Sequence, residues 1–361
     1  MPETPSQTRQ EHRFPCARCG ANLRYAPGQI SMRCSYCGHQ QEIPGVDDAT
    51  RKAAMRPLDL HKTLGRALPE QTIEETRVLS CPNCGAQVEF DRDVHSAECP
   101  FCATPVVTDT GKHRHIKPQA VLPFTLTEAD ARAAFRKWLA GLWFAPNGLK
   151  KFARRDHRLA GVYVPYWAFD ADTRSQYHGE RGTYYYTGTG KRRRRRTRWR
   201  RVSGQVSRRF ENLLIMASRS LPRRYVRALE PWHLDALEAY DPQFIAGFRA
   251  EGYTVALDEG HGLAQERMDE IIREDVRRDI GGDAQRIHSL DTTTANERFR
   301  HLLLPLWVAA YRYRGESYRF VVNAQTGKVR GERPWSAWKI AFAVLAGLLA
   351  LAGFAYLTEV M

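Results

Sequence analysis

The chain has 361 residues, 43% of them hydrophobic, and a formal charge of +15 at neutral pH. That length predicts about two to three domains, and the composition is that of a globular protein, which excludes a chain disordered throughout. The basic balance favours an anionic partner, nucleic acid or an acidic membrane face, and it stays near about +11 if two four-thiolate zinc sites of about −2 each are counted.

Residues 1–12 read as a disordered tail, polar and without the apolar stretch of a secretory leader. A four-cysteine unit then occurs twice. Cys16 and Cys19 are followed, after fourteen residues, by Cys34 and Cys37; Cys81, Cys84, Cys99 and Cys102 repeat the spacing at an offset of 65. The offset also aligns Gly20 with Gly85 and Tyr25 with Phe90, so this is an internal repeat that uses all 8 cysteines. Two residues between cysteines let a tight turn aim both sulfurs at one centre, and two such turns complete the closed tetrahedral shell of a structural zinc. Disulfides or a redox CxxC are the competing readings; nothing looks secreted, and a redox motif stands alone at the start of a helix. The spacing therefore predicts two structural Zn2+ ions, in a ribbon over 13–44 and another over 79–110, with a linker at 45–78. A closed shell has no open position for catalysis.

The remainder, 111–334, reads as one α+β domain or two small ones. Thr127 is the expected N-cap of a helix carrying Ala131, Phe135, Trp138, Leu139 and Leu142 on one face, ended at Pro146-Asn147-Gly148. Residues 161–169 and 302–311 read as buried strands, each with Pro-x-Trp inside an apolar run (Pro165 and Trp167, Pro305 and Trp307). They are either two related strand-hairpin units or two similar core strands, and their prolines predict edge positions or bulges. Helical signals lie near 232–240 and over 262–279, and residues 318–322 form a further strand.

A basic hairpin is expected over 184–210. Its tip carries Lys191, Arg192, Arg193, Arg194, Arg195, Arg196, Arg198, Arg200 and Arg201, with Trp199 and three tyrosines at 184–186 available for stacking. Three readings stay open: phosphates of DNA or RNA, anionic lipid, or a solvated hairpin with no dedicated partner. Residues 340–357 contain no charge and would span about 27 Å, which predicts a transmembrane anchor over 335–361. Lys328, Arg330, Arg333 and Lys339 precede it, and Trp335, Trp338 and Tyr356 sit at its ends, so the expected placement is single-pass in the cytoplasmic membrane with the N-terminal bulk in the cytoplasm.

No catalytic signature stands out. The Gly188-Thr189-Gly190-Lys191 run lacks the remaining Walker residues, no GxSxG or HExxH occurs, and His113, His115, His233 and His261 show no evident partner in the sequence.

The two ribbons, the Val164-Pro165-Tyr166-Trp167, Pro231-Trp232 and Pro305-Leu306-Trp307 pieces, the run from Asn323 to Lys328 and the terminal apolar stretch together resemble a bacterial family of membrane-anchored double-zinc-ribbon (TFIIB-type zinc finger) proteins. Its members are often labelled as relatives of primosomal protein N′, or replication factor Y, and some are encoded beside phage-shock-protein-A-type and SPFH-type membrane-stress proteins. The resemblance implies a non-enzymatic, tail-anchored adaptor that recruits protein partners. The rival is a membrane-tethered nucleic-acid-binding ribbon protein, and the third expectation is an unrecognised enzyme in 111–334. The helicase label does not carry over, because no ATPase motor is present.

Overall fold

Each cysteine quartet seeds a small antiparallel ribbon. The computed structural model describes residues 14–65, 73–89, 96–102, 104–107, 111–146, 159–188, 193–313, 316–332 and 336–360. The first ribbon pairs β1 (Leu23–Tyr25), β2 (Ser31–Cys34) and β3 (Gln40–Glu42) in that order. Then come α1 (Asp48–Ala54), β4 (Leu58–Asp59) and α2 (Leu60–Leu64), the helices capped by Asp47 and Asp59. The second quartet lies among β5 (Ile73–Ser80), β6 (Gln87–Glu89), β7 (Ser96–Glu98) and β8 (Pro105–Val107), with β9 (Gly111–Ile116) returning along β5. The expected tail at 1–12, Asn147 and Gly148, Lys191 and Arg192, and Arg333 and Trp335 lie outside the described residues.

After β10 (Ala120–Val121), α3 (Glu128–Ala140) begins at Thr127, where a capping box with Asp130 satisfies the first turn, and it buries Ala131, Phe135 and Leu139. The next strands are long: β11 (Ala160–Thr187) and β12 (Arg194–Met216). Short pieces follow, α4 (Arg223–Leu229), β13 (Glu238–Ala239), α5 (Pro242–Ile245) and β14 (Arg249–Ala250). The chain then forms α6 (Leu257–Ile280), β15 (Ala284–Tyr313), β16 (Glu316–Asn323), β17 (Val329–Gly331) and α7 (Ala337–Val360).

Two expectations are corrected. The region read as α+β is mostly β: among the described residues β12, β11, β15, β10 and β13 form the main path of a nine-stranded sheet, and the helical signal at 232–240 yields only a 3-10 turn and β13. Polar alternation extends each Trp-bearing run into a long strand, after the run in β11, Ala160–Thr187, and before it in β15, Ala284–Tyr313. The second correction concerns the anchor. Among the described residues no helix is long and apolar enough to cross a membrane, which overturns the expected span and the single-pass placement with it. The uncharged stretch does form a helix, Ala337–Val360. Its flanking charge is engaged elsewhere: Lys339 Nζ donates to the carbonyls of Trp143 and Ala145 at 3.1 and 2.9 Å.

The two Pro-x-Trp strands pair antiparallel at the centre of the sheet, Pro165 opposite Leu303 and Pro305 opposite Tyr163. Neither proline is at an edge. On its other side β11 pairs with β14 at Val162 and Tyr163 and with β12 from Tyr166; β15 pairs with β10 at Leu302 and Leu303 and with β16 from Leu306. Each proline fills the step where one partner hands over to the next, so its missing N–H leaves no ladder bond unmade. Trp167 Nε1 donates to Val255 O and Trp307 Nε1 to Leu126 O, both at 3.0 Å. Each acceptor lies two residues before a helix, α6 and α3. The two helix–strand–hairpin units are thus related by pseudo-twofold placement, each tryptophan bracing the helix start of the other.

Both faces of this central sheet are covered. Val162, Val164, Tyr166, Leu302 and Leu304 point to one face and cluster with Cys81, Val88, Cys99 and Phe101 of the second ribbon. Tyr163, Leu303 and Trp307 point to the other and cluster with Cys16, Leu23, Tyr25 and Cys34 of the first. The alternation of the strands therefore places the two ribbons on opposite faces.

Beyond Asp170 the sheet narrows to three strands, β12-β11-β15. Each outer strand gains one residue there: the register slips at Phe169/Ala171 on one side and Asp170/Asp172 on the other, with Asn212 and Asn296 at φ 54° and 56°. These paired bulges are satisfied by the central strand, Asp170 accepting from the Asn212 N–H at 2.7 Å and Asp172 from the Asn296 amide at 2.9 Å. From Ala171 to Thr187 the ribbon continues for about 55 Å. One face is packed by α6 through Gly260, Ala264, Met268, Ile272, Val276 and Ile280. A strict fourth-residue row drifts around a helix, so it follows the twist of the strands beneath it.

Candidate metal centres and a basic arm

In the first quartet Cys16 Sγ and Cys37 Sγ lie 3.6 Å apart, and Cys19 Sγ and Cys34 Sγ 3.5 Å. In the second the separations are 3.5 Å for Cys81 and Cys102 and 3.6 Å for Cys84 and Cys99. All four sulfurs of each group lie within 4.8 Å of one another. A tetrahedron with metal–sulfur bonds of about 2.3 Å has edges of about 3.8 Å, so both quartets fit one four-thiolate Zn2+ each. The turns are built for it. Gly20, Gly38 and Gly85 sit at φ 75°, 73° and 71°, and their N–H groups return to the carbonyls of Cys16, Cys34 and Cys81. The Cys37 N–H bonds to Cys34 Sγ and lowers that thiol to about 6; the Cys84 thiol does the same for Cys99, lowered to about 5. These hydrogen bonds favour the thiolate form at one sulfur of each quartet, and a bound cation would ionise the rest.

The quartets differ in depth. Cys19 is exposed and Cys37 half-buried, whereas Cys81, Cys99 and Cys102 are all buried, with Phe101 fully enclosed beside them. Closed shells of this kind hold structure, leaving no coordination position for a substrate.

The basic residues lie at the far end of the arm. Of the expected set, Arg193, Arg194, Arg195, Arg196, Arg198, Trp199, Arg200 and Arg201 are described, in or beside β12 opposite residues 180–187. Cross-strand pairs set guanidinium over ring: Arg193 on Tyr186 at 4.2 Å, Arg195 on Tyr184 at 4.3 Å, Arg198 on Tyr185 at 5.6 Å. Trp199 lies over Gly182, where an added Cβ would meet its Cζ3 at 2.9 Å, and carries Arg286 of β15 on its ring at 4.0 Å. The sequence offered no sign of Arg286 or Gly182, because both reach the tip only through strand register.

Three arginines nearer the root of the arm are ion-paired. Arg208 bonds Asp275 at 2.8 Å, Arg209 bonds Asp172 at 3.0 Å, and Arg273 bonds Asp269 at 2.7 Å. Among the described residues no carboxylate pairs with any arginine of 193–201. Of the acids nearby, Glu180 is taken by Arg286 and His288 at 3.6 and 3.4 Å, and Asp283 accepts from the Tyr184 N–H at 2.7 Å.

The remaining expected histidines divide. His113 and His115 fall in β9, against β5. His233 N–H bonds the Gln325 side chain. His261 meets a carboxylate, Glu297, at 2.6 Å, which no spacing in the sequence reveals.

No family model and no solved structure matches the chain. It is similar to the uncharacterized protein YdjG of Bacillus subtilis (strain 168), 25% identical over 348 residues that cover 92% of this chain and 94% of that protein. The likeness therefore extends to the whole double-ribbon chain and not to the cysteine units alone.

Proposed function

We propose that this is a non-enzymatic binding protein in which two structural zincs brace a β core and the arm presents its arginine–aromatic tip to single-stranded nucleic acid. The observation that carries the reading is the guanidinium cluster of residues 193–201, without a carboxylate partner among the described residues, beside Arg208, Arg209 and Arg286, which are ion-paired. Guanidiniums stacked on rings are already restrained, so less side-chain freedom is lost when they meet phosphate. Rungs on one face repeat every second residue, about 7 Å apart. Tyr184, Tyr186 and Trp199 add surfaces on which bases stack. A membrane anchor would favour lipid through high local headgroup concentration, and among the described residues no helix is long and apolar enough to supply one.

The test uses the full zinc-loaded chain with a labelled 30-nucleotide oligo(dT), the corresponding duplex, and vesicles of acidic phospholipid. The expected result is oligo(dT) binding that weakens with salt at about −0.7 per phosphate engaged. It should be lost in Arg193→Ser/Arg195→Ser/Arg198→Ser and weakened by Tyr184→Ser/Trp199→Ser, with the duplex bound less well. Vesicle binding without oligo(dT) binding overturns the reading in favour of lipid. Binding to neither polyanion turns the search to protein partners of the ribbons.

A further inference from the structure

We propose that His61, His261 and Glu297 form a third metal centre, for a divalent transition cation such as Zn2+, at the root of the arm. Three separated stretches of chain converge there. Glu297 Oε1 lies 2.6 Å from His261 Nε2 and Oε2 lies 2.8 Å from His61 Nε2, so one carboxylate gathers two imidazoles. The rings stand edge to face, centroids 6.5 Å apart.

The backbone is arranged to bring them together. Glu297 follows Asn296, the positive-φ residue of the bulge in β15. An added residue in a strand re-aims the side chains beside it, and bulges concentrate next to functional sites for that reason. On one side β4 pairs Asp59 with Arg298, so α2, which begins at the next residue, holds His61 against the bulge. On the other side His261 stands in the second turn of α6, with the Phe169 ring 5.9 Å away.

Charge and exposure favour a cation. The Glu297 side chain is only 10% exposed, and among the described residues its carboxylate meets no lysine or arginine, only the two imidazoles. A carboxylate withdrawn from water needs a positive neighbour. A metal ion supplies it while taking both imidazoles in their neutral, ligating form. Two imidazoles and a carboxylate are the donors that select borderline divalent metals. His261 is 14% exposed and fixed; His61 is 69% exposed on a surface helix. Among the described residues only the cysteine quartets bring three donors within 4.8 Å of one another, so closure on an ion requires one ring to turn, and His61 has the room. The exposed side of His61 leaves a coordination position open to water, unlike either quartet.

Metal counting on the full chain, with any histidine tag removed, decides the matter. After equilibration with buffered Zn2+ and removal of excess, wild type should hold three ions, and His61→Ala and Glu297→Gln two each, with unchanged circular dichroism. His61→Ala alters an exposed side chain, so its fold is not in question. In the cobalt-loaded chain the third ion should add bands of nitrogen–oxygen ligation to the thiolate bands, and a mild chelator should strip it first. Two ions in wild type reduce the trio to a hydrogen-bonded clamp and overturn the proposal. Three ions in His61→Ala overturn it equally, by placing the extra ion elsewhere.

Discussion

Glu251 is a carboxylic acid held far from its ordinary chemistry. It is fully buried where the second ribbon meets the sheet. Its carboxyl takes the hydroxyls of Ser218 and Ser220 at 2.5 and 3.0 Å, and its backbone bridges to Val88. Burial pushes the carboxyl up to about 8 against an ordinary 4.5, and the serine hydroxyls only partly offset this. Below the unfolded value both states hold the proton and nothing is lost. Between the two values the unfolded chain releases its proton while the folded chain keeps it, so stability falls as pH rises, by on the order of 1.4 kcal/mol per unit. Glu251→Gln keeps the shape and removes the titration. Its stability relative to wild type should therefore rise by about 2–3 kcal/mol between pH 6 and pH 8 in urea unfolding of the zinc-loaded proteins. Parallel pH profiles would show that the carboxylate is ionised in the fold.

At the scale of elements, the arm turns on its paired bulges, and these test how much the positive-φ asparagines matter. Asn296→Gly and Asn296→Val both delete the bond to Asp172. They differ in the backbone: glycine adopts φ 56° freely, while a β-branched residue there costs about 1–2 kcal/mol. Glycine gives part of this back through its looser unfolded chain. The expected order in urea denaturation is wild type, then Gly, then Val, with Val about 1 kcal/mol below Gly. An equal loss in both would mean that Asp172 alone holds the bulge. The same region shows where sequence is readable. Thr127 announces α3, because caps are local chemistry. The Trp-bearing runs announced buried strands, because apolar alternation is local too. The length of β11 and β15 was not legible. Residues 171–187 look like solvated hairpin until α6 is known to cover one face with Met268, Ile272 and Val276. Nor was the Glu297 trio, whose members lie 36 and 236 positions apart.

For the whole molecule, the ribbons were fully legible as cysteine spacing, yet nothing in that spacing said that they would be walls of the core. That placement decides what zinc removal does. Phe101, Val88 and Ala86 of the second ribbon are 0–2% exposed against Val162, Val164 and Leu302. Burying one large apolar side chain contributes roughly 1.5–3 kcal/mol, and both partners of each contact are uncovered if the ribbon opens. A ribbon this small has no core of its own and does not stay closed without metal. The sum exceeds about 5 kcal/mol, the lower end of a domain's entire stability margin. Loss of the second zinc should therefore unfold the sheet beneath it, not just the ribbon. Cys99→Ser is expected to lower Tm by about 10–20 °C and to abolish the near-ultraviolet dichroism of the buried aromatics around Tyr166. Cys19→Ser opens the first quartet at its exposed corner, where Cys37 is also only half-buried. Its effect should be several-fold smaller, although Tyr25 and Met32 of that ribbon are buried against the other face. Each variant should hold one quartet-bound zinc fewer. If Cys99→Ser loses its zinc while the melting transition stays in place, the ribbon is an independent appendage, and its burial against the sheet carries none of the stability assigned to it here.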